Sequence, residues 1–176
     1  MSGRCIIIMG VSGTGKSSVG QALANRLNAK FIDGDDLHPR ANIQKMASGQ
    51  PLNDDDRQPW LERLSDVAYS LQQKHETGFL VCSALKKRYR DRLREGNNDM
   101  TFLWLNGDYD LVLKRMKQRA GHFMPESLLK SQFATLEPPD KQETDVIPID
   151  IGTSFDGVVD RCIGALSQKA AAPQCA

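Results

Sequence analysis

An eight-residue glycine-rich segment, residues 10–17, constrains this chain more than any other part of its sequence. It reads Gly-Val-Ser-Gly-Thr-Gly-Lys-Ser and matches the pattern GxxxxGK[ST] at every fixed position. An apolar run at residues 5–9 precedes it, and Val19, Leu23 and Leu27 follow at helical spacing. A strand, a glycine-rich loop and a helix in this order are the context in which the pattern binds nucleotide phosphates. The sequence therefore predicts a phosphate-binding loop in an α/β domain.

Each residue type in this loop suits contact with Mg²⁺ and ATP. Glycines let the backbone bend so that successive N–H groups converge on phosphate oxygens, and the following helix N-terminus adds partial positive charge. Lys16 is predicted to reach the β- and γ-phosphates, and the Ser17 hydroxyl to ligate Mg²⁺. The alternative is a glycine-rich turn with a solvated lysine, against which the flanking strand and helix patterns argue. The predicted nucleotide-binding residues of the loop are Gly10, Val11, Ser12, Gly13, Thr14, Gly15, Lys16 and Ser17.

Short apolar runs alternate with helical patterns along the rest of the chain. Such alternation predicts an α/β fold with a parallel sheet and helices on both faces. We expect a single domain over residues 1–170 and a frayed tail at 171–176. Two insertions exceed a simple βαβ rhythm, one at about 34–77 that would bind the acceptor and one at about 119–143 that would form a lid. The predicted strands are residues 5–9, 30–33, 79–83, 101–106 and 145–150.

The overall charge argues against a large anionic partner. The 176 residues include 23 Lys and Arg and 22 Asp and Glu, a formal net charge of +1, so no global field favours nucleic acid or a membrane. No apolar run approaches the ~20 residues that span a bilayer, and residues 5–9 are too few for a signal-peptide core. The four cysteines form no CxxC pair, which favours buried free thiols. We expect a cytoplasmic protein that recognises a small molecule.

Carboxylates follow the second predicted strand, in the sequence Asp33-Gly34-Asp35-Asp36. Ligands bind open α/β sheets at the carboxyl ends of the strands, and phosphoryl transfer to an alcohol needs a carboxylate that orients the hydroxyl and accepts its proton. Asp33 and Asp35 are alternate residues and are expected to face the same way. They are predicted to divide the roles of acceptor base and partner of a metal-bound water. Asp-Gly-Asp is also common in turns, and Asp36 could cap the next helix.

Basic residues in three segments are candidates for binding an anionic acceptor. His38 precedes a helix predicted over residues 39–47 and could bond a substrate hydroxyl or cap a turn. Arg57 is a candidate carboxylate ligand because its planar guanidinium donates two parallel hydrogen bonds. The other candidates equally fit a solvated surface, and the basic run 86–94 fits a helix face of mixed charge. The full set is His38, Arg40, Lys45, Arg57, Lys86 and Arg90.

Two arginines precede a segment with glycine and proline punctuation. Arg115 and Arg119 are four residues apart, hence on one helix face, and residues 120–125 read Ala-Gly-His-Phe-Met-Pro. An arginine delivered by a closing segment stabilises the charge of phosphoryl transfer, and closure excludes water. Arg119 is predicted to act in this way, and Arg115 to contact adenine or phosphate. The alternative is a helix C-terminus that favours cations.

Five segments together resemble the small bacterial-type gluconokinases, which are related to shikimate and nucleoside monophosphate kinases. They are the loop at 10–17, FIDGDDLHP at 31–39, NIQKMASGQPLNDDDRQPWL at 42–61, VCSALKKRYRDRLREG at 81–96 and RAGHFMPESLLKSQFATLEPP at 119–139. The first is shared by many nucleotide-binding proteins, whereas the other four together are specific.

The resemblance implies phosphorylation of D-gluconate at its 6-hydroxyl by Mg·ATP, strand order 2-3-1-4-5 and a homodimer. By comparison with the shikimate kinase pattern, it also implies that Asp35 is the acceptor-side base, that Asp33 is the partner of the metal-bound water, and that Arg57 lies at the substrate carboxylate. A shikimate-like kinase is one rival. A nucleotide-binding switch is another, although the guanine-reading Asn-Lys-x-Asp motif is absent.

Overall fold

Five parallel strands form one sheet at the centre of the molecule. The computed structural model describes residues 3–119 and 125–171. The sheet order is β2-β3-β1-β4-β5, and every adjacent pair is parallel. The predicted α/β fold and the strand order are therefore confirmed. The strands are β1 (Arg4–Met9), β2 (Lys30–Asp33), β3 (Thr77–Val81), β4 (Met100–Asn106) and β5 (Val146–Asp150).

Helices cover both faces of this sheet. A 3₁₀ turn (Gly34–Leu37) follows β2 and begins the predicted acceptor insertion. Of the helices in the described ranges, none is long and apolar enough to cross a membrane. The residues of the predicted tail from 172 onward lie outside the described residues. The helices described are α1 (Lys16–Leu27), α2 (Arg40–Ala47), α3 (Asp54–Gln73), α4 (Lys87–Arg94), α5 (Tyr109–Gln118), α6 (Glu126–Thr135) and α7 (Phe155–Ala171).

Alternate side chains of β1 enter two separate cores. Ile6 and Ile8 pack with α1, α5, α6 and α7 on one face, whereas Cys5, Ile7 and Met9 pack with α3 and α4 on the other. All five side chains are fully buried, as expected for a central parallel strand. Burial of an aliphatic side chain of this size contributes about 1.5–3 kcal/mol relative to exposure. The uninterrupted apolar run that precedes the phosphate loop therefore holds that loop at the centre of the sheet.

The carboxyl ends of β1, β2 and β3 meet at one edge, where three loops come together. The β3 ladder ends at Val81, two residues earlier than predicted, and Ala84 has a positive φ of 47°. The Cys82 N–H donates to the Ile8 carbonyl and the Gly10 N–H to the Ser83 carbonyl. The chain after β3 is thus tied to the start of the phosphate loop, although it no longer continues the strand.

Candidate active site

The phosphate loop has the backbone geometry that the motif predicts. Gly10, Gly13 and Gly15 have φ values of 141°, 84° and 89°, which a residue with a Cβ adopts rarely. The side chains of Val11 and Thr14 are buried, and the Thr14 hydroxyl donates to the Val11 carbonyl at 2.9 Å. These two residues support the loop from below. A cleft of about 530 Å³ opens above it and is lined by Ser12, Gly13, Gly15, Lys16, Ser17, Asp35, Val81, Cys82, Ser83, Met116 and Arg119.

Lys16 lies in this cleft, at the first residue of α1. Its Nζ donates to the Val11 carbonyl at 2.9 Å. Desolvation lowers the pKa of Lys16 to about 8, although the carboxylates of Asp35 and Asp33 oppose that change. The two carboxylates thus offset only part of the cost of burying the ammonium charge. A phosphate chain placed in the cleft would supply that charge and raise the pKa again.

The two predicted carboxylates occupy different positions. Asp33 ends β2, and its Oδ1 accepts a hydrogen bond from the Asp35 N–H at 3.0 Å, so it caps the 3₁₀ turn. Asp35 lines the phosphate cleft and also a second, adjacent cavity. Desolvation raises the pKa of Asp35, the nearby Asp33 raises it further, and His38 and Lys16 oppose the change. A carboxylate with a raised pKa at the junction of two cavities suits a general base.

A tryptophan holds the turn that carries Asp35. The Trp60 Nε1–H donates to the Gly34 carbonyl at 2.7 Å, and its ring stacks on His38 with centroids 4.3 Å apart. A Cβ at Gly34 would lie 2.3 Å from the Val81 carbonyl oxygen, so the turn approaches β3 too closely for any other residue. No feature of the sequence around Trp60 predicted this hydrogen bond.

The second cavity, about 570 Å³, lies between the acceptor insertion and α6. Three of the predicted site residues come together in it, Asp35, His38 and Arg57. We call it the acceptor cavity. Its other lining residues are Met46, Gly49, Gln50, Pro51, Leu52, Trp60, Leu61, Cys82, Ser83, Ala84, Leu85, Tyr89, Leu128, Ser131, Gln132 and Thr135.

Contacts within the protein hold the Arg57 side chain in place. Its Nη1 donates to the Leu52 carbonyl at 2.8 Å, and its guanidinium carbon lies 5.7 Å from the centre of the Tyr89 ring. The Tyr89 hydroxyl donates to Asp54, and this contact fixes the ring. One end of the guanidinium is thus occupied by the protein, while the side chain still lines the cavity.

Three other predicted acceptor ligands do not line the cavity. Lys45 forms an ion pair with Asp56 at 2.6 Å, which joins α2 to the start of α3. Lys86 pairs with Asp54 at 3.4 Å and lies over the Tyr89 ring. Arg40 is exposed at the first position of α2. The structure therefore does not bring these three cations to the acceptor cavity.

The prediction that Arg90 binds substrate is wrong. The side chain is fully buried, and Nε and Nη2 donate to the two carboxylate oxygens of Glu143 at 2.7 and 2.9 Å. Nη1 donates to the Ala84 and Leu85 carbonyls, and Nη2 also donates to the Glu137 carbonyl. Arg90 therefore holds the backbone at the edge of the acceptor cavity. Its one-turn spacing from residue 86 did not reveal that it points into the protein.

Arg119 and Arg115 lie on the other side of the phosphate loop. Both line a third cavity of about 360 Å³ between the loop and the N-terminal end of α7, and Arg119 also lines the phosphate cleft. The Arg115 guanidinium donates to the carbonyls of Ile151 and Thr153. The Gly-Pro punctuation of the predicted lid falls partly on residues 120–124, which lie outside the described residues.

Comparison with known proteins places this chain among small-molecule kinases. The family model described as shikimate kinase matches residues 12–150. The thermosensitive gluconokinase of Escherichia coli is 58% identical over 162 residues, 92% of this chain and 87% of that protein. The thermoresistant gluconokinase of the same organism is 51% identical over 162 residues, 92% of this chain and 93% of that protein. A solved gluconokinase from Sinorhizobium meliloti superposes with a TM-score of 0.85 at 43% identity, over 95% of this chain and 93% of that one.

The chain belongs to the gluconokinase family. It spans most of the length of these relatives, so the family's domain is represented almost in full. The predicted resemblance is confirmed, and the shikimate kinase family model also matches most of this chain.

One contact in this gluconokinase-family site joins a predicted residue to one that the sequence did not predict. The Ser12 N–H of the phosphate loop donates to the Gln132 Oε1 of α6 at 2.6 Å. Gln132 also lines the acceptor cavity. The sequence placed residue 132 within a lid and contained no signal for a glutamine that joins the two halves of the site.

Proposed function

We propose that this chain catalyses the transfer of the γ-phosphoryl group of ATP to the 6-hydroxyl of D-gluconate, forming 6-phospho-D-gluconate and ADP. The observation that supports it most is the position of Asp35, which lines both the phosphate cleft and the acceptor cavity. A carboxylate at this junction can contact an alcohol in the acceptor cavity that also lies next to a phosphate bound in the cleft. The names of the relatives supply the acceptor, since the two at 58% and 51% identity are gluconokinases.

In the proposed reaction the acceptor hydroxyl oxygen forms a bond to the γ-phosphorus as the bond from that phosphorus to the bridging oxygen of ADP breaks. Asp35 accepts the hydroxyl proton, a role favoured by the raised pKa of its carboxyl. Lys16 and the loop N–H groups neutralise the phosphate chain, and Arg119 stabilises charge on the transferring group. Arg57 holds the gluconate carboxylate, and His38 contacts a hydroxyl.

Mg²⁺ would accompany the nucleotide, and the residues present fit it. Ser17 is exposed in the phosphate cleft, and Asp33 lies close enough to influence the pKa of Lys16. Among the described residues there is no group of three or more His, Cys, Asp and Glu that could hold a metal by itself. One hydroxyl ligand and one carboxylate near its water shell suit Mg²⁺, which keeps several waters and binds substrate phosphates. When bound, it would neutralise charge on the β- and γ-phosphates.

Shikimate is a second candidate acceptor, favoured by the family-model match over residues 12–150. Like gluconate, it carries a carboxylate and an alcohol. A nucleotide switch without an acceptor receives less support, because such a protein needs no second cavity with a carboxylate at the junction.

We further propose a cytoplasmic homodimer that binds neither nucleic acid nor membrane. The support is the resemblance to the family and the formal net charge of +1. Sedimentation velocity at micromolar concentration checks the assembly, and a single species with the 19.6 kDa mass of one chain would rule out the dimer.

A coupled ADP-release assay tests the proposed function. Gluconate, shikimate, idonate and nucleoside monophosphates are each supplied with Mg·ATP. We expect turnover with gluconate to exceed that with shikimate and the nucleotides, and phosphorus NMR of the product to show a phosphate ester on the primary carbon. Turnover with shikimate but not gluconate would replace the proposed acceptor. ATP binding without turnover of any acid would favour the switch.

A further inference from the structure

The Ser12–Gln132 hydrogen bond determines which way the Gln132 carboxamide points. A backbone N–H can only donate, so the group that faces Ser12 at 2.6 Å must be the carbonyl oxygen Oε1. The Nε2 group, with two N–H donors, then points away from the loop. Among the described residues, none accepts a hydrogen bond from it.

Gln132 stands between the two ligand sites. It lines the acceptor cavity, while its partner Ser12 lines the phosphate cleft. On α6, Leu128, Ser131 and Thr135 line the same cavity, and their spacing of three and four residues places all of them on one helix face. The two Nε2 donors, which have no partner in residues 3–119 and 125–171, are therefore on the face of the helix that the acceptor would contact.

The helix that carries Gln132 is firmly anchored, which suits a positioning role. Leu129 is fully buried and belongs to the same core cluster as Val11, the residue before Ser12. Beyond the end of the helix, the Glu137 N–H donates to the Leu85 carbonyl at 2.8 Å, and Arg90 donates to the Glu137 carbonyl. These contacts hold the Gln132 carboxamide at a fixed position beside the phosphate loop.

We infer that Gln132 is a further substrate-contacting residue. With its oxygen held by the Ser12 N–H, its Nε2 group donates a hydrogen bond to an oxygen of the acceptor beside the phosphate loop. The assignment to the acceptor rather than the nucleotide follows because Gln132 lines the acceptor cavity and not the phosphate cleft. This inference rests on the proposed phosphorylation of a small polyhydroxy acid.

Two substitutions separate this role from a purely structural one. Gln132→Met keeps the size of the side chain but loses both the acceptor for Ser12 and the donors. Gln132→Glu keeps an oxygen for the Ser12 N–H, in a stronger charge-assisted bond, but loses both donors. If the residue only ties α6 to the loop, the Glu variant should keep that tie, and its added charge should weaken the use of gluconate and ATP alike rather than of gluconate in particular.

We expect both variants to have a lower kcat/KM for gluconate than the wild type. Loss of a hydrogen bond to substrate should lower kcat/KM for gluconate about tenfold in Gln132→Met. The added negative charge beside an anionic acid should lower it about 100-fold in Gln132→Glu. In the Met variant the KM for ATP and the acceptor-independent ATP hydrolysis should change less than about twofold. Lys130→Gln, exposed on the same helix, is the control and should match the wild type.

The measurements are the KM for each substrate, kcat, ATP hydrolysis without acceptor and the thermal unfolding temperature. Wild-type gluconate kinetics in Gln132→Glu, or equal losses toward gluconate and ATP, would overturn the inference and leave a structural tie, and wild-type kinetics in both variants would leave no role at all. If Gln132→Met fails to fold, Gln132→Glu still decides, because it preserves the contact with Ser12. If the wild type uses another acid of the panel, the proposed acceptor fails and the variants are compared on that acid. If it uses none, both proposals fail.

Discussion

The phosphate loop and the acceptor cavity are adjacent, yet they are built on different principles. The loop is one continuous segment of eight residues that presents mainly backbone N–H groups, the start of a helix and one lysine. The acceptor cavity draws side chains from α3, α4, α6 and the segments after β2 and β3. The function of the loop residues follows from one local motif together with the strand and the helix that flank it. Residues of the cavity acquire function only when their own partners leave a donor or acceptor free.

Two arginines of the acceptor side illustrate this dependence. Arg57 uses part of its guanidinium on the Leu52 carbonyl and still lines the cavity. Arg90 uses its donors on Glu143 and on three carbonyl groups and is fully buried. The sequence offered both as candidates to bind an anionic acceptor, although Arg90 fitted a solvated helix face equally well. The comparison teaches that a cation's availability is decided by tertiary contacts, whereas a glycine-rich loop carries its function locally.

Lys16→Ala should produce the largest effect. Removal of the ammonium group leaves the phosphate chain without its main cationic partner, and turnover should fall about 10³-fold. The fold should persist, because the substitution removes a side chain from the phosphate cleft and leaves the hydrophobic core unchanged. Lys114→Ala, exposed on α5, is the control, and near-normal turnover in Lys16→Ala would contradict the role of the loop.

Lys16 also predicts a pH dependence on the nucleotide side. Desolvation lowers its pKa to about 8 in the free protein, so the ammonium group loses its proton as the pH rises through that value. A neutral amine attracts phosphate less, and the affinity for ATP should therefore decline above a pH of about 8. Fluorescence titration with an ATP analogue across this range checks it, and a flat profile would contradict it.

Asp35→Asn should lower turnover by roughly 10²-fold or more, within the range of general acid–base catalysis. ATP binding should change little. Because the pKa of Asp35 is raised, the wild-type rate should decline on the acid side at a higher pH than an ordinary aspartate would give. The variant should not show this acid-side decline in its pH–rate profile.

Asp33→Asn should instead shift the Mg²⁺ dependence, since the new amide oxygen still caps the turn at the Asp35 N–H. If extra Mg²⁺ rescues Asp35→Asn and not Asp33→Asn, the two roles are exchanged.

The same contrast explains what the sequence could predict. The α/β class and all five strands followed from short apolar runs between helical patterns, because a doubly covered parallel sheet needs continuous apolar strands. The strand order came from the resemblance, since local patterns do not specify which strands pair. Asp35 was identified by its place after β2. Trp60 and Gln132 were not, because a stacked ring and a carboxamide aimed at a distant loop depend on contacts between residues far apart in the chain.

Glu143→Gln tests the buried pair that holds the acceptor side together. Hydrogen bonds and charge from Arg90 and Arg94 outweigh desolvation and lower the pKa of Glu143 from 4.5 to about 2. Since the folded-state pKa is depressed, the ionised carboxylate stabilises the protein at neutral pH, and this contribution is lost as the pH falls from about 4.5 to about 2.

The variant should lose about 3–5 kcal/mol of unfolding free energy at pH 7, or about 6–20 °C of unfolding temperature. Its stability should also change less in acid than that of the wild type. Glu95→Gln is the matched control, because Glu95 pairs with Arg92 while its side chain is 74% exposed, and it should lose less than about 1 kcal/mol. Equal losses from the two variants would show that the buried pair contributes no more than the surface one.

Arg57→Lys should give the smallest effect and the sharpest distinction between the two regions. Lysine keeps the positive charge but loses the planar pair of donors that suits a carboxylate. The KM for gluconate should rise about tenfold, and that for ATP less than about twofold. Arg63→Lys is the control on the same helix, since Arg63 is exposed and donates only to the Leu37 carbonyl in the described structure. If Arg57→Lys raised both Michaelis constants equally and lowered the unfolding temperature, its contact with Leu52 would be its main role, and the acceptor's carboxylate would have to be held by another group of the cavity.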